Sequence, residues 1–356
     1  MKKLFALCAI LIFLCGCAMR GSTPVHPPDY TETVFALDTV LDISAYGDCG
    51  PGGISAAKDS VYRLEALLSV TDERSDISRV NSSGGKAVPV DAQTAELVSR
   101  ALELSALTGG SMDLSIYPIV RAWGFTTAER RIPEQRELDE LLTKVDYQQI
   151  TVSGASGAIT VPDGVLIDLG SIAKGYIGDR MIDALRESGV TSALVNLGGN
   201  VQTLGTKPGG ALWKIAVRDP LKPTVNCCAI SIGEGAVITS GGYERYFTGQ
   251  DGQVYHHIID PATGYPANSG LASVSVITRG SDSGLYGDGL STALFVMGQD
   301  AALALWRELG GSIGGTEFEL LLIADSGEIT ITPGLAGSVD VMSGGRLTVA
   351  EQAVAN

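Results

Sequence analysis

Two runs carry residues whose types and spacing suit phosphate chemistry: Asp168-Leu169-Gly170-Ser171-Ile172-Ala173-Lys174-Gly175-Tyr176, and, further along, Gly287-Asp288-Gly289-Leu290-Ser291-Thr292-Ala293-Leu294-Phe295. Each reads as a loop entering a helix, where unpaired backbone N–H groups and the helix dipole favour a phosphate. Asp288 and Thr292 stand four residues apart and share one helix face. A carboxylate and a hydroxyl presented in this way suit a hard cation that accepts only oxygen ligands and keeps some for a substrate phosphate. The two runs together point to a magnesium and pyrophosphate site. The spacing equally fits an N-cap followed by an interior Thr bonded to the preceding turn. Lys174 suits either a point-charge contact to phosphate or a solvated surface.

The chain has three histidines. His26 lies in a proline-bearing stretch, so an imidazole base must be His256 or His257, in Tyr255-His256-His257-Ile258-Ile259-Asp260-Pro261. Adjacent strand residues face opposite ways, so one of the pair can reach a site while the other packs or meets solvent. Asp260-Pro261-Ala262-Thr263-Gly264 is a turn sequence in its own right, which Asp260 can cap. Gly-X-Gly-X-X-Gly and a Walker lysine motif are both absent, so a Rossmann or P-loop reading lacks its residues.

Stepping along the chain, Val34 to Tyr46 alternates as a strand, and Ser55 to Val70 carries Ala57, Val61, Leu64 and Leu68 at helical spacing. Thr94 to Thr108 is a second helix that stops at Gly109-Gly110, and Pro133 starts a third with Leu138, Leu141, Leu142 and Val145. Ala158 to Val161 and Val165 to Leu169 flank a Pro-Asp-Gly turn and predict a hairpin. A helix follows Gly175, and strands are expected at Ser192 to Leu197, Trp213 to Val217, Ala236 to Thr239, Val254 to Ile259 and Ser273 to Thr278. Leu290 to Met297 and Ala301 to Leu309 are helical, and Phe318 to Ala324 with Ile329 to Thr332 close the chain as a hairpin. Strands and helices in mixed order with many glycine turns favour an α+β domain.

Lys2 and Lys3 precede an apolar stretch, Leu4 to Leu14, too short for an ordinary transmembrane helix and laid out as an export signal. It ends in Leu14-Cys15-Gly16-Cys17, which resembles a lipoprotein cleavage box and makes Cys17 the expected lipid anchor. Residues 1–16 are thus expected to be a signal peptide and 17–28, with three prolines, a tether. Residues 29–356 form the folded body, long enough for a large core and without a clean internal linker. Cys49, Cys227 and Cys228 have no framework spacing, and the adjacent pair fits burial in a strand better than a strained bridge. A formal charge of −15 makes nucleic acid a poor partner. An acidic protein that handles a pyrophosphate needs a cation to bridge the repulsion.

From about Phe35 to Gly298 the sequence resembles the FAD:protein FMN transferases, the ApbE lipoprotein family. The resemblance is carried by Ser75-Asp76-Ile77-Ser78-Arg79-Val80-Asn81, by Thr108-Gly109-Gly110-Ser111-Met112-Asp113 with Trp123-Gly124-Phe125 downstream, and by Ile167 to Tyr176. It continues through Val195-Asn196-Leu197-Gly198-Gly199-Asn200, Thr239-Ser240-Gly241, His257 to Gly264 and Asp288-Gly289-Leu290-Ser291-Thr292. It implies a single elaborate mixed α/β domain with a tunnelling-fold-like duplication. It also implies an enzyme that takes FAD as substrate, cleaves its pyrophosphate with magnesium or manganese, and moves FMN to a Thr or Ser of an exported partner, such as a subunit of an electron-transfer complex, releasing AMP.

By motif position, Asp288, Thr292, Ser291 and the carbonyl of Ala173 would hold the cation. Flavin contacts would fall on Leu37, Thr71, Ser111, Met112, Asp113, Gly170, Tyr176 and Ile259, with Lys174 at the phosphates. His257 would be the base, with Asp260 orienting it or helping the metal. Thr71 stands where an aromatic residue is expected against the isoalloxazine, and Leu37-Asp38-Thr39 where many members have Met-Gly-Thr. Plain FAD hydrolysis and non-catalytic FAD storage on a lipid anchor are the rival readings. Ser153-Gly154-Ala155-Ser156 loosely resembles a flavinylation acceptor, but no Asp-Gly precedes it.

Overall fold

A computed structural model describes residues 27–127, 129–154, 157–342 and 346–351. The signal segment, Cys17, most of the tether, and Ala155-Ser156 lie outside them. The described chain begins with β1 (Tyr30–Ala36) and β2 (Thr39–Ala45), then α1 (Gly50–Leu68), α2 (Asp76–Asn81), β3 (Val88–Pro89) and α3 (Ala92–Leu107). Next come α4 (Tyr117–Ala122), α5 (Gln135–Leu142), β4 (Thr151–Val152), β5 (Ala158–Thr160) and α6 (Ala173–Glu187). A run of strands follows: β6 (Ala193–Leu197), β7 (Asn200–Leu204), β8 (Trp213–Arg218), β9 (Asn226–Ile232), β10 (Gly235–Gly241), β11 (Tyr246–Thr248), β12 (Val254–His256) and β13 (Leu271–Arg279). The chain closes with α7 (Ser283–Met297), α8 (Gln299–Glu308), β14 (Ser312–Ile313), β15 (Thr316–Ala324), β16 (Ile329–Ile331), β17 (Val339–Val341) and β18 (Leu347–Val349).

A ten-stranded sheet runs β1-β2-β6-β7-β10-β13-β15-β16-β18, with β14 beside β15. Only the β16–β18 pair in it is parallel. The sheet is covered on both faces, which is why its central strands are apolar at successive positions rather than alternate ones. In β15, Leu320 and Leu322 join the helices of one core, while Leu321 and Ile323 join Trp213, Ile215, Ile230 and Ile232 of the small sheet β17-β9-β8 on the other side. Cys227 and Cys228 are free and buried in β9, as small apolar residues of that second core.

Helix α1 begins with Pro51 near its start and buries Ile54, Ala57, Val61, Leu64 and Leu68 on one stripe. Helix α3 is capped by Asp91, which accepts from the N–H of Gln93. Helices α6 and α7 cross with almost no side chain between them. A Cβ on Gly175 would lie 2.0 Å from the carbonyl oxygen of Gly284, and one on Gly178 2.1 Å from Nε2 of Gln202. Gln202, reaching up from β7, donates to the Gly175 carbonyl at 2.9 Å. Asp179 caps α7 by accepting from the N–H groups of Gly284 and Leu285 at 2.7 and 2.8 Å.

Four expectations need correction. The single strand over Val34–Tyr46 is a hairpin, β1–β2, turned at Leu37 and Asp38, both with φ of 55°. Apolar Ala36 and Leu37 followed by polar Asp38 and Thr39 span that turn, and no Gly or Asn marks it. Val165–Leu169 is not a strand; β5 pairs instead with β4 and β3. That segment is held by Asn81, whose carboxamide donates to the Ile167 carbonyl and accepts from the Ile167 N–H at 2.9 and 2.7 Å, as a strand partner would. The strand expected to Ile259 ends at His256. Helix α7 starts at Ser283, so Asp288 lies inside a helix and not at its entry.

Replacing Gly175 by Ala forces α6 and α7 apart, and the cost expected of overpacking is about 1–3 kcal/mol. Chemical denaturation checks this; an unshifted midpoint would show that the crossing has slack the geometry does not reveal.

Candidate functional site

A cavity of about 520 Å³ opens where the start of α6, the middle of α7, the β1–β2 turn and the segment after β10 converge. That size is within the range of small-molecule sites. Of the residues singled out from sequence, Asp288, Thr292, Ala173, Lys174 and Gly170 line one part of its wall. Leu37, Thr71, Ser111, Met112 and Asp113 line another, and His257 and Ile259 a third. Three do not reach it. Tyr176 is fully buried and donates to Glu96 at 2.8 Å. Ser291 is fully buried, donating to the Asp288 carbonyl at 2.9 Å with its oxygen 2.8 Å from that of Ser240. Asp260 accepts from the Ala262 N–H at 2.9 Å and the Thr263 hydroxyl at 3.2 Å, capping its own turn with no bond to His257.

The crossing of α6 and α7 builds the anionic corner. Because Gly175 has no side chain, Asp288 comes in from α7 and its Oδ2 accepts from the Gly175 N–H at 2.8 Å. The other carboxylate oxygen lies 3.9 Å from Nζ of Lys174. Thr292 follows one turn later, 3.4 Å from the Ser240 hydroxyl. The oxygen-bearing groups that the lining residues Asp288, Thr292 and Ala173 bring to this corner are therefore a carboxylate, a hydroxyl and a backbone carbonyl. Among the described residues no cluster of three or more His, Cys, Asp or Glu exists. An oxygen-only set with one carboxylate fits magnesium, which is commonly held by one or two carboxylates together with substrate phosphates and water, and does not fit zinc.

His257 is positioned from two sides. Phe247 and Tyr255 of the β11–β12 hairpin pack with Trp123, at ring separations of 6.3 and 5.1 Å, and Trp123 donates to the Gly264 carbonyl at 2.8 Å. This gives the Trp123-Gly124-Phe125 motif a physical role, since it buttresses the chain on both sides of the imidazole. The Arg245 carbonyl accepts from the His257 N–H at 3.0 Å and lies 3.2 Å from Nδ1. A carbonyl can only accept, so Nδ1 carries the proton and Nε2 is left as the basic nitrogen. Burial first, then the cations Arg245 and Lys174, push the imidazole down to about 3. His256 faces the other way, with its Nε2 3.0 Å from the Ala267 carbonyl and its ring edge-on to Phe295.

Several lining residues had no assigned role in the sequence. Burial raises Asp168 against the pull of the Gly170 N–H, Lys174 and Arg245. Glu65 accepts from the Leu37 N–H at 2.6 Å and so holds the left-handed turn at the rim. Arg245, Ser240 and Asn200 also line the cavity. Glu65 and Arg245 have no local signal, because each acts across the fold. Asp113 was expected to touch flavin; its carboxylate accepts from the Ser115 N–H and hydroxyl and from the Tyr147 N–H, so only what those bonds leave free faces the cavity.

A mixed α/β fold with a carboxylate, a hydroxyl and a lysine gathered in its cavity at one helix start defines the structural class of the chain. Within that class, residues 37–314 match the ApbE family, and the chain belongs to it. It is 32% identical over 326 residues to the FAD:protein FMN transferase of Treponema pallidum, covering 85% of this chain and 88% of that one. The Vibrio cholerae protein of the same name is 33% identical over 318 residues, covering 86% and 90%. The crystal structure of the ApbE protein from Thermotoga maritima superposes with a TM-score of 0.79 at 33% identity, covering 87% of this chain and 98% of that one. The apo flavinyl transferase ApbE of Pseudomonas stutzeri gives 0.70 at 29%, covering 83% and 90%.

His257 should stay neutral well below the ordinary imidazole value of 6.5. Its folded pKa is depressed, so between 6.5 and about 3 the unfolded chain binds the extra proton, and stability falls as pH drops through that window. Imidazole NMR should show no titration of His257 near 6.5, and His257→Gln should flatten the acid limb of the stability curve. A midpoint near 6.5 would refute the burial argument.

Proposed function

We propose that the chain transfers the FMN half of FAD to a Thr or Ser hydroxyl of an exported acceptor protein and releases AMP. The observation that carries this is the meeting, in one cavity, of Asp288, Thr292 and Lys174 at the start of α6 with an imidazole kept neutral. The names of the relatives support the same reading.

Asp288, Thr292 and the carbonyl of Ala173 would hold magnesium, or manganese in its place, which when bound neutralises charge on the phosphate oxygens. Lys174 and the start of α6 orient the pyrophosphate so that the acceptor hydroxyl and the AMP oxygen lie in line at the FMN phosphorus. Nε2 of His257 takes the hydroxyl proton as the new P–O bond forms. The P–O bond to AMP breaks, and its electron pair leaves on the AMP phosphate. Asp260 has no part in this scheme, because its carboxylate serves its own turn. Anchored through a lipid on Cys17, such an enzyme works at a membrane surface on an exported partner, for which a subunit of an electron-transfer complex is suited.

The protein incubated with FAD, magnesium and a Thr-bearing acceptor peptide should add the mass of FMN to the peptide. Chelation of the cation should stop the reaction, and Asp288→Ala should lower it by about 100-fold or more. FMN and AMP free in solution beside an unmodified peptide would replace transfer by hydrolysis, and intact bound FAD would replace it by storage.

A further inference from the structure

Asn200 ends the Val195-Asn196-Leu197-Gly198-Gly199-Asn200 motif, and nothing in the scheme above uses it. It opens β7 directly after a two-residue turn in which Gly198 and Gly199 have φ of 59° and 104°. A side chain on Gly198 would strike Thr39, at 2.4 Å, so the turn is fixed and the register Leu197↔Asn200 with it. Successive strand residues alternate faces. Val201 packs on the small-sheet side, while Gln202 bonds the Gly175 carbonyl within α6. Asn200 therefore shares the face of Gln202, toward the helices and one step nearer the cavity mouth of that layer.

The side chain is 3% exposed and lines the cavity, yet its Nδ2 has no hydrogen-bond partner. Leaving a buried amide donor unpaired costs about 1–3 kcal/mol. The same cavity is lined by Lys174, Asp288, Thr292 and Ser240. That corner is built for phosphate, and a phosphate oxygen is the ligand atom that best repays a lone N–H donor, because the bond is charge-assisted. We infer that Asn200 is a positioning residue that donates from its carboxamide to a pyrophosphate oxygen of the dinucleotide. Being neutral, the carboxamide supplies a donor without adding charge to the cavity. This rests on the function proposed above.

The test is flavin-fluorescence titration of the full chain with FAD and with riboflavin, which has the ring but no phosphate. Asn200→Ala should weaken FAD by about 10-fold, the range of one hydrogen bond to a charged group, and leave riboflavin unchanged. Asn200→Asp keeps the shape but replaces the donor by a negative charge, and should weaken FAD further. Equal losses for both ligands, or FAD binding unaltered in Asn200→Ala, would overturn the inference. Retained FAD affinity with a lower magnesium requirement in Asn200→Asp would overturn it too, by assigning the side-chain oxygen to the cation. A parent chain that binds neither ligand overturns the proposed function and this inference together; parent binding with an indifferent Asn200→Ala overturns this inference alone.

Discussion

Two helices that touch backbone to backbone are the condition on which the site depends. Gly175 and Gly178 of α6 and Gly284 of α7 leave no room for a Cβ, and Gln202 fills the remaining space by bonding a helical carbonyl. Close approach sets the distance from Asp288 to the first turn of α6 at a single hydrogen bond. With any ordinary side chain between the helices, the carboxylate would sit a methyl group or more away from the N–H it accepts from. Thr292 would move with it, because one helix carries both. The glycines here are thus a metric device, fixing a separation in place of relieving a turn.

Charge in the cavity follows the trend of the whole chain. The protein carries a formal −15, and Asp38, Glu65, Asp113, Asp168, Glu244 and Asp288 line the cavity against Lys174 and Arg245. Burial drives both kinds of group toward their neutral forms: it raises Asp168 and lowers His257. The cations reinforce the effect at His257 and oppose it at Asp168. One electrostatic environment therefore keeps the imidazole neutral and sets two cations, Lys174 and Arg245, in an otherwise acidic wall.

How much of this could be read from the chain depends on whether the determinant was local. Helices α1, α3 and α6 were legible because their buried stripes repeat at helical spacing, and Ala57, Val61, Leu64 and Leu68 are buried as expected. The closing β15–β16 hairpin was legible for the same reason. Twelve of the fifteen site residues proposed within the described chain line the cavity, ten of them on matched motifs and Leu37 and Thr71 outside them. Tyr176 and Ser291 were misplaced because a motif fixes a stretch of backbone, while which side chain points inward depends on helix phase. The β1–β2 turn was invisible because Leu37 and Asp38 adopt left-handed backbone without glycine, held by Glu65 from α1. Contacts spanning tens of residues leave no mark on local pattern.

The segment feeding α6 draws its order from an unusual source. In place of a strand ladder, Val165–Leu169 is tied by the carboxamide of Asn81 and by one backbone bond from Asp168 to Leu114. Opening it would break these long-range hydrogen bonds and also expose Val165, Ile167 and Leu169, which are buried in the main core. The entrance to α6 is in this sense a continuation of the core, its order shared with the helices it packs on. A shift at the cavity wall is then felt in the packing, because the residues that shape the one are buried in the other.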